Sequence, residues 1–218
     1  MVIFWCILPP RLLKSAFKVL KNYQRGIHLA GKQQIRIIAG KWRSRQIRFP
    51  EVSGLRPTGD RIRETLFNWL APEIHGARCL DLFSGSGAFC FEALSRGAAY
   101  CLALEKHPQA IACLTENKSL LDASELVIAQ QDTLKYLRQR ADKPFDIIFV
   151  DPPFDLNLIN EVCSLLEENG WVSDGGMIYC ELPSQQNNFA PPGNWQVSRN
   201  KVASGVKYTL FYRIEPTA

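Results

Sequence analysis

The chain has 218 residues, of which 46% are hydrophobic and 22% charged, with 14 Gly and 13 Pro. That is the composition of a globular core with an appendage, and it excludes disordered, collagen-like and repeat classes. The net charge of +5 is unevenly spread: no acid precedes Glu51, the first 50 residues carry 11 Lys and Arg, and the remaining 168 carry 26 − 11 = 15 basic against 21 acidic residues.

A basic arm of +11 on a body of −6 is the pattern of a polyanion-binding appendage, because neutralising phosphates releases counterions; the alternative is a solvated basic tail. Seven cysteines (Cys6, Cys79, Cys90, Cys101, Cys113, Cys163, Cys180) are odd in number and form no C-x-x-C pair. Lying mostly within apolar runs, they predict buried thiols in a reducing cytoplasm, with no disulfide and no metal. No apolar run reaches the roughly 18 residues of a membrane span. Val2 to Leu8 lacks the preceding positive charge and the cleavage site of an export signal.

Residues 1–33 carry no core pattern and predict a flexible or helical basic extension. Residues 34–56 predict a basic β-hairpin: Ile35, Ile37, Ile47 and Phe49 alternate with Arg36, Gln46 and Arg48 on either side of Gly40-Lys41-Trp42-Arg43-Ser44. Residues 57–218 predict one α/β domain. Asp60 is a candidate N-cap for a helix whose Ile62, Leu66, Trp69 and Leu70 recur at helical spacing until Pro72. Apolar runs at Cys79 to Phe83, Tyr100 to Leu104, Leu126 to Ala129, Ile147 to Val150 and Met177 to Cys180 predict strands. Helical segments at Ala88 to Arg96, Pro108 to Leu121, Thr133 to Arg140 and Asn157 to Glu168 separate them. That rhythm predicts a doubly wound, mostly parallel, Rossmann-like sheet. Gln196 to Val202 and Lys207 to Tyr212, around Ser204-Gly205, predict an antiparallel C-terminal hairpin.

In such a sheet, ligands sit beyond the C-terminal strand ends. Asp81-Leu82-Phe83-Ser84-Gly85-Ser86-Gly87 leaves the first strand of the domain there and enters a helix, so it is a candidate nucleotide-type cofactor site. Cys90 stands where a dinucleotide fingerprint needs Gly or Ala, and Asp81 would repel a pyrophosphate. An acid at the glycine turn suits a cofactor with a cationic end; the alternative is that the glycines serve only a tight turn. Glu105 ends the second strand, where a carboxylate can accept both hydroxyls of a ribose, or merely pair with Lys106. Asp132, after the third strand, can accept from an adenine amine or cap the helix that starts at Thr133.

Asp151-Pro152-Pro153-Phe154 follows the fourth strand. Two prolines fix the backbone and remove two N–H donors, leaving carbonyls and a carboxylate: a corner of acceptors that receives an amino group. Phe154 offers a face on which an unpaired base can stack; the alternative is a rigid loop with a buried Phe. An exocyclic base amine is a poor nucleophile. Held by the Asp151 carboxylate and the Pro152 carbonyl, it can pyramidalise toward a sulfonium methyl in the adjoining glycine pocket. The base must be single-stranded or flipped out.

These motifs resemble those of the class I AdoMet-dependent amino-methyltransferases. Gln34-Ile35-Arg36-Ile37-Ile38-Ala39-Gly40, Leu55-Arg56-Pro57-Thr58 and Arg61-Ile62-Arg63-Glu64-Thr65-Leu66-Phe67-Asn68-Trp69-Leu70 are similar to the RsmD branch, bacterial 16S rRNA guanine-N2 methyltransferases. The resemblance runs from about residue 34 to the C-terminus. It implies a cytoplasmic, monomeric enzyme acting on 16S rRNA within the small subunit, with AdoMet as cofactor, no metal and no membrane. Asp81, Phe83, Gly85, Gly87, Glu105, Lys106, Asp132 and Thr133 would lie against AdoMet, and Asp151, Pro152, Pro153 and Phe154 against the guanine. Arg36, Lys41, Arg43 and Arg45 would meet the RNA, and Arg56, Thr58, Arg61 and Arg63 would border the pocket, gripping RNA phosphate or the methionine carboxylate; the alternative is a purely structural role, such as a salt bridge of Arg63 near Glu64. Residues 1–33 depart from the family pattern. The weighed rivals are a DNA adenine-N6 or cytosine-N4 methyltransferase and a non-catalytic ribosome assembly factor. A dehydrogenase is disfavoured by Cys90.

Overall fold

The computed structural model describes residues 33–51, 58–153 and 158–214. In chain order the elements are β1 (Gln33–Arg36), β2 (Gln46–Phe49), α1 (Asp60–Trp69), β3 (Arg78–Asp81), α2 (Ala88–Ser95), β4 (Tyr100–Glu105) and α3 (Pro108–Leu121). They continue with β5 (Leu126–Gln130), α4 (Thr133–Leu137), β6 (Phe145–Val150), α5 (Ile159–Glu168), β7 (Val172–Pro183), β8 (Trp195–Ala203) and β9 (Val206–Arg213). β1 and β2 pair antiparallel on their own; the other seven form one sheet in the order β5-β4-β3-β6-β7-β9-β8. β3 to β7 run parallel, and β9 and β8 close the sheet antiparallel. The order reverses at β3, so the strand ends there open onto the crevice in which ligands bind.

Period-two alternation assigns each strand residue to one of two cores. Cys79, Cys101, Ala103, Ile147, Phe149 and Tyr179 face one side, packed under the β1–β2 hairpin and helices α1 to α3. Leu80, Leu102, Leu104, Ile148, Val150, Ile178 and Cys180 face the other, under α4-flanking residues and α5. Burial on both faces explains why these strands read as unbroken apolar runs. Cys79, Cys90, Cys101, Cys113, Cys163 and Cys180 are buried and form no disulfide among the described residues, and Cys6 lies outside the described residues. Among the described residues no helix is long and apolar enough to cross a membrane.

Several boundaries differ from expectation; β3, for one, ends at Asp81 rather than Phe83. Gly59, not Asp60, is the N-cap of α1; Asp60 is the first helical residue and its carboxylate meets Arg63 Nη2 at 2.7 Å. α4 ends at Leu137 rather than Arg140. β7 begins at Val172, well before Met177, because Ser173-Asp174-Gly175-Gly176 is a bulge: Phe145 pairs with Val172, then Ile147 with Met177. Gly175 has φ +70, so a glycine pair that resembles a turn instead kinks a continuous strand.

The hairpin is built into the core. Ile35, Ile37, Trp42, Ile47 and Phe49 join the apolar cluster of the sheet, while Gln34, Arg36, Gln46 and Arg48 are exposed. Buried Glu92 of α2 accepts from the amides of Ile38 (2.7 Å) and Ala39 (3.0 Å). Ser95 Oγ donates to the Ala39 carbonyl (2.6 Å) and accepts from the Trp42 amide (2.9 Å). On α3, the Asn117 amide exchanges both its hydrogen bonds with the Arg48 backbone (3.1 and 2.7 Å), as another strand would.

Candidate active site

β3 ends at Asp81 and turns sharply into α2. The Ser84 hydroxyl donates to the Asp81 carbonyl (3.0 Å), and the Ser84 amide donates to Leu104 on β4 (3.0 Å). Gly87, the N-cap of α2, sits at φ +81, where a Cβ would lie 2.7 Å from Leu114 and Phe91 side-chain atoms. Only glycine fits that conformation and that space. The Asp81 carboxyl is 2% exposed, and its Oδ2 has no hydrogen-bond partner. Burial pushes it up to about 7, partly offset by the Cys90 and Phe83 backbone amides. A buried, half-satisfied acid at a glycine turn is a receptor for a positively charged group.

Glu105, at the end of the neighbouring β4, is fixed by the backbone. Its Oε2 accepts from the Gly85 amide (2.9 Å), and its Oε1 from the Lys106 and His107 amides (2.8 and 2.7 Å). A carboxylate offers about four acceptor positions, so Oε2 retains capacity for a hydroxyl. The Lys106 side chain itself is exposed. Phe83 is half-buried against the β3–β4–β6 core. The Thr133 hydroxyl is turned inward, donating to the Leu82 carbonyl at 2.6 Å; it ties the end of β5 to the glycine loop. Asp132 is exposed and caps α4, accepting from the Lys135 amide at 3.0 Å. Its second oxygen is the one a ligand could use.

Asp151 follows β6 directly, beside β3: Asp81 pairs with Phe149 in the parallel ladder. The acceptor corner and the glycine turn therefore share one sheet edge. Asp151 Oδ2 lies 3.2 Å from the Thr58 hydroxyl, which is also 3.1 Å from Oε1 of Glu181 on β7. Tyr179 donates to that same Glu181 oxygen at 2.7 Å. Burial, then the Glu181 charge, hold the Asp151 carboxyl well above the usual carboxylate range, with the Thr58 hydroxyl opposing. Pro152 is buried and Pro153 half-buried; Phe154 lies outside the described residues. Under the corner, Phe89 stacks on Phe149 (5.2 Å between centroids) and meets Tyr179 edge-on (5.6 Å).

Of the basic residues expected to border RNA, Arg63 requires correction. It is fully buried, with Nη2 on the Arg36 carbonyl (2.9 Å) and on Asp60, so it fastens the hairpin to α1 and does not face a polymer. Arg36, Arg43 and Arg61 are exposed. Lys41 is exposed but paired with Glu125 at 2.9 Å, and Arg45 donates to the Leu120 carbonyl at 3.0 Å. Thr58 lies against Asp151, inside the corner rather than at its rim. Arg56 lies outside the described residues. Glu181 and Tyr179 are absent from the expected site; the one hint in sequence is a lone acid inside the apolar strand Tyr179-Cys180-Glu181-Leu182.

A polar cleft of about 290 Å³ lined by Glu73, His75, Asp146 and Asp174 lies at the opposite end of the strands. It is remote from Asp81, Asp151 and the glycine turn, and the topology places chemistry at their edge. A family described as Conserved hypothetical protein 95 matches residues 35–212. The chain belongs to the RsmD family of class I methyltransferases. It is 45% identical over 184 residues to the ribosomal RNA small subunit methyltransferase D of Escherichia coli (strain K12), covering 84% of this chain and 92% of that protein. It superposes on the solved structure of Escherichia coli yhhF with a TM-score of 0.79 at 43% identity, covering 84% of this chain and 99% of the other. An RNA methyltransferase from Salinibacter ruber, solved with S-adenosyl-L-homocysteine, shares the fold (TM-score 0.57, 16% identity, 75% of this chain and 97% of that one). The RsmD resemblance and the Rossmann-like sheet with an antiparallel C-terminal hairpin, both expected from sequence, are met.

Proposed function

We propose that this RsmD-family chain transfers a methyl group from AdoMet to the exocyclic N2 amine of a guanine in 16S rRNA, working in the cytoplasm as a monomer on the small ribosomal subunit. The observation that carries this reading is the adjacency of two strand ends: Asp81 opening the glycine turn and Asp151 opening the proline corner. AdoMet supplies a sulfonium-activated methyl group when bound. Buried Asp81, with an orphan oxygen, suits its cationic part, and the backbone-held Glu105 suits its ribose hydroxyls. Asp151 and the Pro152 carbonyl receive the two amine hydrogens, which localises the nitrogen lone pair toward the methyl group. Much of the rate then comes from position. Arg36, Arg43 and Arg61 take RNA phosphates, contacts that hold the substrate without choosing its sequence.

The test is incubation with labelled AdoMet and, in separate reactions, naked 16S rRNA, small subunits and DNA, followed by nucleoside analysis. N2-methylguanosine from small subunits is the expected product. Label on DNA alone, or on another atom of the RNA, overturns the assignment; AdoMet binding without transfer to any polymer would leave a non-catalytic factor.

A further inference from the structure

Glu181 takes no part in the chemistry above, yet it is 3% exposed near the C-terminal end of β7. A buried carboxylate persists only where hydrogen bonds hold it. Here they come from the hydroxyls of Tyr179 (2.7 Å) and Thr58 (3.1 Å), with Thr58 also 3.2 Å from Asp151. A threonine hydroxyl has a single hydrogen. If it goes to Glu181, the contact with Asp151 needs a proton on Asp151; if it goes to Asp151, Glu181 must carry one. The bridge from Oδ2 through Oγ1 to Oε1 is complete only when the two carboxyls together hold one proton.

We propose that Glu181 is a positioning residue for methyl transfer: through the Thr58 hydroxyl it fixes the Asp151 carboxyl and shares one proton with it, leaving the other Asp151 oxygen to receive the substrate amine. This inference rests on the reading of Asp151 as the amine acceptor. As the nitrogen forms its bond to the methyl carbon and that carbon's bond to sulfur breaks, the nitrogen sheds one proton. A pair of carboxyls holding one of two possible protons can take it and later release it to water. The titratable groups facing the pair are Asp81 on β3, Tyr179 on β7 and Tyr208 on β9, which pairs with Glu181 across the ladder. Among the described residues, no Lys, Arg or His is hydrogen-bonded to either carboxyl. Burial raises Asp151 and Glu181 alike, and the Glu181 charge raises Asp151 further. Tyr179 is pushed well up by burial and by Glu181, so it stays a donor.

Two variants give shifts of opposite sign. Carboxyl carbon-13 titration of the full chain without ligand should show Asp151 titrating well above the usual range. Glu181→Gln, which keeps the volume and removes the like charge, should lower it by about one pH unit or more. Thr58→Val, which removes a donor to the ionised form, should raise it. An Asp151 titration unmoved by Glu181→Gln overturns the shared proton, whatever the activity. On small subunits the acid limb of kcat should move the same two ways, with KM for the subunit unchanged and Thr58→Ser restoring the wild-type limb. A kcat loss with an unmoved limb makes Glu181 merely structural and overturns its positioning role. Failure of wild-type protein to methylate small-subunit rRNA would instead remove the proposed function, and the ligand-free titration alone would then decide whether the pair exists.

Discussion

At Asp81 the fold holds a group that it would be more stable without. Its carboxyl is raised from 3.8 to about 7, so between about pH 4 and 7 the folded protein keeps a proton that the unfolded chain has released. Stability from this group therefore falls as pH rises through that window and is flat above it. Asp81→Asn should raise the unfolding temperature at pH 8 by about 5–15 °C, since the cost removed is on the order of a few kcal/mol. A scan showing a lower temperature would mean that the ionised acid is satisfied after all. With Asp81 as the proposed partner of AdoMet's cationic part, AdoMet affinity should climb from pH 6 to pH 8 as the acid ionises, and calorimetry of Asp81→Asn should show weak binding with that climb gone. Asp151→Ala should act differently, abolishing methyl transfer while leaving AdoMet affinity within about twofold of wild type, roughly 0.4 kcal/mol; unchanged turnover would remove the acceptor corner. Asp81, Glu105 and Asp151 were legible in the sequence because each ends an apolar run at a glycine, helix or proline boundary. Glu181 was not, because within a strand nothing local separates an acid buried in a network from one facing solvent. Arg63 misled for the same reason: the spacing that places it on α1 does not say that Asp60 and the Arg36 carbonyl would bury it.

Elements dock through contacts that the sequence does not announce. Alternation predicts the β1–β2 hairpin, but its seat depends on Glu92, Ser95 and Asn117, polar residues on helices that a binary pattern assigns to solvent. At Gly40, φ is +82 and a Cβ would fall 1.8 Å from the Ser95 carbonyl oxygen, a backbone atom that cannot step aside. Gly40→Ala should therefore cost more than about 2 kcal/mol in urea unfolding. Glu92→Ala should cost about 3–5 kcal/mol, since it orphans the Ile38 and Ala39 amides and the Arg96 guanidinium. Midpoints within about 0.5 kcal/mol of wild type for both would show that the hairpin does not depend on this seat. Deleting residues 34–50 would be a poor test of RNA binding, because it strips Ile35, Ile37, Ile47 and Phe49 from the core and exposes what they cover. The β7 bulge was equally hidden: Asp174-Gly175-Gly176 carries turn chemistry, and only pairing with β6 shows that the strand continues through it.

Across the whole molecule the charge asymmetry acquires a direction. Arg63 joins the hairpin to α1, and Thr58, two residues before α1, touches Asp151, so the hairpin is linked through α1 to the corner proposed to receive the amine. The hairpin cations are not equivalent. Lys41 is already paired with Glu125, and Arg45 is tethered by one N–H to the Leu120 carbonyl but keeps its charge, whereas Arg36, Arg43 and Arg48 are exposed. Each phosphate that a cation neutralises adds about 0.7–0.9 to the slope of log affinity against log salt. Converting Arg36, Arg43 and Arg48 together to Gln in the full chain should thus weaken small-subunit binding and flatten the slope by about two. Converting Lys41 alone to Gln should change it far less than any one of those three, because Glu125 already offsets its charge. The six Lys and Arg of the first 32 residues add a constant background that cancels in the comparison. Equal slopes for the triple variant and wild type would mean that the hairpin's exposed face does not meet the RNA, and a large effect from Lys41 would mean that its pairing with Glu125 opens on binding.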